Sequence, residues 1–364
     1  MPELKKSPLH DRHQALGAKF AEFGGWSMPL QYGGIVAEHK AVREGVGIFD
    51  VSHLGKARIT GPGAVAFLNS AISNDAAKIG PGQAQYTLLC NPEGGVVDDL
   101  IWYWLGDEEL FLIPNAANTT EVVRRLAGAA PEGLTVANEH DDYAVLAVQG
   151  PKSDETLTAL GLPVGHDYMR FDTGELDGFA LTVCRTGYTG ERGYELVVPS
   201  VGAVAVWDAV MAAGEPYDIA PAGLGARDTL RTEMGYPLHG QDLRPDLSAG
   251  QCGVGWAIGW RKDSFWGDEA LRAEKAAGPA RRLTGLLSLG RGIPRPHMEV
   301  THERAVVGEV TSGTFSPTLA KGIALALLPP ALIPGTQVTV LVRGREEPFE
   351  VVKPPFVTPG VRES

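Results

Sequence analysis

The sequence predicts an α+β protein of more than one domain that ends in a small all-β unit. Three observations carry this expectation. The chain has 364 residues, too many for one ordinary hydrophobic core. Most of its length mixes strand-period with helix-period segments. From about Arg281 onward it turns into short apolar strands separated by turns.

The N-terminal part contains an amphipathic segment (10–22), a Gly-rich turn FGGWSMP (23–29) and a helix over 35–44. Ile35, Val36 and Val42 give that helix an apolar stripe, Glu38, Lys40 and Arg43 a polar face. Gly45 and Gly47 end it. Between 55 and 135 come the strand KARITG (56–61) and the helix PGAVAFLNSAI (62–72), with proline near its start. The strands QYTLLC (85–90) and VVDDLIWYWL (96–105) are joined by the turn NPEGG. ELFLIPN (109–115) is a third strand, and a helix covers 119–127. A second α+β unit, 137–271, has strands at YAVLAVQGP (143–151) and ALTVCRTG (180–187). Its helices are VGAVAVWDAVMAAG (201–214) and GARDTLRTEMG (225–235). LTGLLSL, AVVGEVTSG, GIALALL, TQVTVLV and PFEVV then suit a small barrel or sandwich.

Hydrophobic residues make up 44% and charged residues 21%, as in a folded globular protein. With 32 basic and 44 acidic side chains the net charge is −12. That excludes broad nucleic-acid binding, and any anionic ligand must be met by locally placed Arg or Lys. Cys90, Cys184 and Cys252 form no CxxC pair, disulfide framework or zinc spacing. Reduced thiols in a cytoplasmic protein are expected. MPELKKSPLHDRHQ has no apolar stretch after its charges, so no secretory signal is expected. No run of ~18 uncharged apolar residues predicts a membrane span.

Three segments carry chemical content. GGVVDDL (94–100) puts two carboxylates in an apolar strand, where alternation sends Asp98 and Asp99 to opposite faces. One is then solvated or caps the preceding turn; the other needs a hydrogen-bond partner or cation and is a site candidate. Both also fit edge-strand charges that discourage aggregation. TGYTGERGYEL (186–196) surrounds Tyr188 and Tyr194 with glycines and places Glu195 at the start of a strand. A carboxylate with stacked aromatics holds planar ligands bearing N–H groups; on the residues alone, a hairpin turn with an exposed glutamate is the simpler reading. GLGARDTLRTE (223–233) fails as a dinucleotide fingerprint, because Asp228 stands in place of the third glycine. Arg227 and Arg231 share a helix face, suiting either a bidentate anion clamp or salt bridges to Asp228 and Glu233. His39, His53, His239 and His297 have no ligand spacing, so structural or solvated roles are expected. No GxSxG, Walker or SxxK motif offers a covalent nucleophile. Chemistry here must rest on positioning, a carboxylate and the ligand's own reactive atoms.

Taken in order, PLHDRHQALGAKFAEFGGWSMPLQY, IFDVSHLGK, NPEGGVVDDL, LAVQGP, RTGYTGERGYEL, GLGARDTLRTEMG, RGIPRP and TSGTFSP…GIALA span nearly the whole chain. Together they resemble the T-protein family, the aminomethyltransferases of the glycine cleavage system. The resemblance implies a three-domain cloverleaf around a central folate channel. Residues 1–54 with 137–275 would form a folate-binding α+β domain, 55–136 a ferredoxin-like α+β domain, and 280–364 a β-barrel domain. It implies transfer of a one-carbon unit from an aminomethyl group on the lipoyl arm of H-protein to tetrahydrofolate. The products would be methylenetetrahydrofolate, ammonia and dihydrolipoyl H-protein; no metal or flavin is expected. The partners would be lipoylated H-protein and the other glycine cleavage components. Matched residue by residue, Asp99 is the catalytic aspartate and Glu195 the pterin-pairing carboxylate. Arg227 is a folate-binding arginine and Tyr86 a pocket aromatic. Asn115 and Tyr188 are pocket neighbours, and Arg362 approaches the site.

Leu54 stands where the family usually has methionine, and Trp260 and Trp266 are additional tryptophans. Folate-binding relatives that maintain iron–sulfur proteins carry a KGCYxGQE motif; here that region reads MGYPLHGQDL, without cysteine. Sarcosine- and dimethylglycine-oxidising relatives need a flavin domain, and this chain has no N-terminal dinucleotide fingerprint.

Overall fold

In the strand Tyr143–Gln149, apolar side chains point to both faces, and each face builds its own core. The structure is a computed structural model that describes residues 3–361, so Arg362 lies outside the described residues. On one face, Ala144, Leu146 and Val148 pack with Trp207 and Val210 of the helix Ala203–Gly214. On the other, Val145 and Ala147 join Tyr103, Phe111 and Leu230. The strand is central in a six-stranded sheet with the order Phe171–Leu176, Phe179–Cys184, Gly193–Pro199, Tyr143–Gln149, Gly47–Asp50, Ala220–Pro221.

A five-stranded sheet follows the order Ala84–Cys90, Val96–Gly106, Glu109–Ile113, Ala57–Thr60, Thr135–Asn138. Leu100 and Trp102 face the helices Ala64–Ala71 and Thr119–Ala129. Tyr103 and Phe111 face the first sheet, so the two sheets share an apolar layer. The C-terminal strands close into a six-stranded barrel, which leaves no free edge. The expected α+β class with a C-terminal β-barrel is therefore the architecture found.

Two local expectations change. The 10–22 segment is helical only over His10–Ala15. Gly17, at φ +74°, breaks it, and Lys19–Phe23 pairs with Trp26–Gln31 across the tight turn Gly24-Gly25. The helix Ile35–Glu44 is present, but its faces are not those of the apolar stripe. Val36 is exposed and Glu38 is buried. Glu38 accepts the backbone N–H groups of Tyr32 (2.7 Å), Gly34 (3.0 Å) and Gly223 (2.9 Å). Paired in this way, a carboxylate is tolerated inside.

The helix Leu224–Met234 ties these parts to the barrel. Arg231 donates to Asp228 (2.7 Å), Asp242 (3.0 Å) and the Ser312 hydroxyl of the barrel (2.9 Å). Glu233 accepts from Arg43 (2.8 Å), Ser316 (2.5 Å) and Thr318 (3.0 Å). Burial opposes the Glu233 charge, but His39, Ser316 and Arg43 more than offset it, holding the carboxyl at about 2 against 4.5 for an unperturbed glutamate. A depressed folded-state pKa contributes stability above the unfolded value that is lost as pH falls through the folded one. The thermal midpoint should therefore drop between pH 4.5 and 2, and drop less steeply in Glu233→Gln. Equal slopes for the two proteins would contradict this ion network.

Candidate active site

The carboxylate strand Val96–Gly106 begins at a turn that tolerates almost no alternative. Gly94 has φ +79°, and a Cβ on Gly95 would lie 1.8 Å from the carbonyl oxygen of Pro245. Asn91 donates to that same carbonyl (2.8 Å) and accepts from the Gly95 N–H (2.8 Å). One step later the register slips: Leu89 pairs with Asp98, but Cys90 pairs with Val96. Such a bulge bends the strand and re-aims its side chains.

Neither aspartate is solvated or caps the turn. Asp98 is fully buried and Asp99 partly so. Both meet one amide, because the Asn115 Nδ2 donates to Asp98 Oδ1 (2.9 Å), Asp99 Oδ1 (2.9 Å) and the Asp99 carbonyl (2.8 Å). Asp98 also accepts the Asn115 backbone N–H (3.1 Å) and Asn118 Nδ2 (2.7 Å). Asp99 Oδ2 accepts from the Tyr86 hydroxyl at 3.0 Å. Strand alternation alone did not foresee this, because the bulge and the asparagine that reaches both carboxylates are not local features of the strand.

Burial pushes both carboxyls up, and Asp98 rises to about 8 with the Asp99 charge adding to the effect. His239, Tyr86 and Asn115 partly counter the rise at Asp99. Two buried carboxylates this close release their protons as a pair.

Asp99, Tyr86 and Asn115 line a cavity of about 1240 Å³ that Tyr188, Glu195 and Arg227 also line. The six described residues singled out by the sequence thus meet in one space. Glu195 is not an exposed hairpin residue: it is 6% exposed and accepts from the Thr186 hydroxyl at 2.6 Å. The Arg227 guanidinium lies 4.9 Å from the Tyr188 ring centre. Arg227 Nη1 is buried without a hydrogen-bond partner. Burial lowers the Arg227 pKa, against the pull of Glu195 and Tyr188. Arg231 does not form a clamp with Arg227, because its N–H groups are spent on Asp228, Asp242, Ser312 and the Tyr236 carbonyl.

Sequence reasoning passed over Trp256 and Asn118, and expected of His239 only a structural or solvated role. Trp256 is 66% exposed at the cavity wall, its ring stacked 5.2 Å from that of Tyr86. His239 Nε2 donates to the Val96 carbonyl (3.1 Å), so Nδ1 accepts from Asn118 Nδ2 (3.0 Å). The spacing Asn115-x-x-Asn118 after a strand was the one available signal for Asn118. His39 has the structural role expected, bridging Thr229 (2.8 Å) and Thr318 (3.0 Å).

Among the described residues no cluster of three or more His, Cys, Asp or Glu side chains could hold a metal ion. None of the described helices is long and apolar enough to cross a membrane. The cavity presents Asp99, backed by buried Asp98, on one wall and, from other elements, a buried carboxylate and a guanidinium with a free N–H group. These are the parts of a ligand-dependent enzyme that works by positioning and charge.

Comparison with known proteins agrees with that class. Residues 9–262 match the GCVT N-terminal domain family, and 281–358 match the glycine cleavage T-protein C-terminal barrel domain. The aminomethyltransferase of Frankia alni is 60% identical, over 98% of this chain and 99% of that protein. That of Mycobacterium tuberculosis strain H37Rv is 58% identical, over 98% of each. The crystal structure of glycine cleavage system aminomethyltransferase T from Bartonella henselae superposes with a TM-score of 0.92 at 34% identity, covering 98% of this chain and 99% of that one. The chain therefore belongs to the glycine cleavage T-protein family and is an enzyme of its aminomethyltransferase class.

Cys252 is in the cavity wall, but burial pushes its thiol up to about 12, as it does that of Cys90. Cys184 is driven higher still. A thiol far above its usual range supplies almost no thiolate at neutral pH. The native protein should consume no thiol reagent such as DTNB within minutes near pH 8, and the unfolded chain should titrate as three thiols. Fast labelling of the native chain would contradict an inert cysteine set.

Proposed function

We propose that this chain transfers the one-carbon unit of S-aminomethyl-dihydrolipoyl H-protein to tetrahydrofolate in the cytoplasm. The reaction gives methylenetetrahydrofolate, ammonia and dihydrolipoyl H-protein. The observation that carries this reading is the one cavity that Asp99, Glu195 and Arg227 line together. The same reading divides the chain into 1–54 with 137–275, 55–136 and 280–364. The pairing of Gly47–Asp50 with Tyr143–Gln149 supports the first of these.

The residues fit tetrahydrofolate. Glu195 has an acceptor for the amino and ring N–H groups of a pterin. Arg227 has a buried N–H group that lacks a partner, which a ligand oxygen would satisfy. Tyr188 and Tyr86 supply aromatic surface beside these polar groups, and Trp256 extends it outward. Tetrahydrofolate, when bound, supplies the nucleophilic nitrogens that accept the one-carbon unit.

Asp99 is the working carboxylate. Anchored by Asn115 and Tyr86, it orients the acceptor amine and stabilises positive charge that develops as the amino group departs. No protein nucleophile is required, and the buried thiols offer none.

The test is ammonia release from aminomethylated H-protein with and without tetrahydrofolate. Asp99→Ala should keep its fold and lose about 10²–10³-fold in kcat. Glu195→Gln should act mainly by raising KM for tetrahydrofolate, by roughly tenfold or more. Full activity of Asp99→Ala, or ammonia release that gains nothing from tetrahydrofolate, would defeat the proposal.

A further inference from the structure

The carboxylate wall holds more structure than one working aspartate needs. Asp98 is not among the residues lining the cavity, yet it is fully buried and takes three N–H donors. A buried carboxylate that only fills space is readily replaced by an apolar side chain. The donors form a continuous series. The Val96 carbonyl accepts from His239 (3.1 Å), His239 accepts from Asn118 (3.0 Å), and Asn118 donates to Asp98 (2.7 Å). Asp98 then grips Asn115 at two points, the backbone N–H (3.1 Å) and the side-chain amide (2.9 Å). That amide is the one that holds Asp99.

We propose that Asp98, Asn118 and His239 form a positioning arm that locks the Asn115 amide and, through it, the carboxylate of Asp99. The inference rests on the reading of Asp99 as the working group. An amide held at both its backbone and its side chain cannot swing, so Asp99 keeps its donor as ligands come and go. Without Asp98, Asn115 is free to satisfy itself elsewhere.

The arm also places a second acid against Asp99. The titratable groups facing the pair are Tyr86 from the adjacent strand, Tyr188, His239 and Cys252. None of these is a permanent cation, so the pair lowers its own repulsion by keeping a proton. Burial and the Asp99 charge push Asp98 up, so the pair's later ionisation belongs to Asp98, and removing Asp98 removes that higher-pH ionisation.

Three measurements on the full chain test the arm. In Asp98→Asn, kcat should fall by about 100-fold while KM for tetrahydrofolate stays within about threefold. His239→Ala alters a partly exposed loop residue and so leaves the fold intact if Asp98→Asn does not fold. It should lower kcat by about tenfold at unchanged KM and thermal midpoint. The third measurement is infrared titration of the carboxylic-acid C=O band, which needs no turnover. Its midpoint should lie lower in Asp98→Asn than in the native chain. Unchanged kcat, a change in KM alone, or identical infrared midpoints would overturn the arm. If the native chain shows no folate-dependent ammonia release, the functional reading fails, while the infrared midpoints still decide whether the pair is coupled.

Discussion

One side-chain amide, that of Asn115, holds two carboxylates that would otherwise repel each other in a poorly hydrated space. Isolated buried carboxylates are costly and unstable in position. Here the cost is shared: three N–H groups satisfy Asp98, and Asn115 and Tyr86 satisfy Asp99. The arrangement depends in turn on the bulge before Asp98 and on the Gly94-Gly95 turn, where any larger residue at 95 would collide with Pro245. A backbone irregularity of this kind sets where a charge can sit, and so which chemistry the cavity can support.

The remaining walls are kept in place by the helix Leu224–Met234. Arg227 lines the cavity with an unpartnered N–H group, while Arg231, also at the wall, and Glu233 fasten the helix to the barrel and the N-terminal helix. Function and architecture thus share a single element. Arg227 is left with an unpartnered N–H group, whereas Arg231 spends its donors on the protein. That contrast separates a ligand-facing cation from a structural one more clearly than charge or spacing does.

Much of this was readable in the sequence, for identifiable reasons. Strands and helices with strong periodicity, such as those over 85–105 and 201–214, lie where their patterns put them. The motifs brought Asp99, Glu195, Arg227, Tyr86, Asn115 and Tyr188 to one cavity. What stayed hidden has partners far away in sequence. His39 meets Thr229 at a separation of 190 residues, and Asn118 meets His239 at 121. Glu38 reads as a surface residue until the Gly223 N–H is brought to it. Asp98 reads as a solvated neighbour of Asp99 because neither the bulge nor Asn118 is visible from alternation alone. Arg362 lies outside the described residues, although its neighbour Val361 lines the cavity.

The central claim is that one cavity binds tetrahydrofolate at Glu195 and Arg227 and presents its reactive nitrogens to Asp99. A crystal structure of the chain with tetrahydrofolate tests it most directly. The account predicts pterin N–H groups on Glu195, a ligand oxygen on Arg227 Nη1 and Asp99 within hydrogen-bond reach of the reactive nitrogens. A pterin bound away from Glu195, or reactive nitrogens turned away from Asp99, would contradict it.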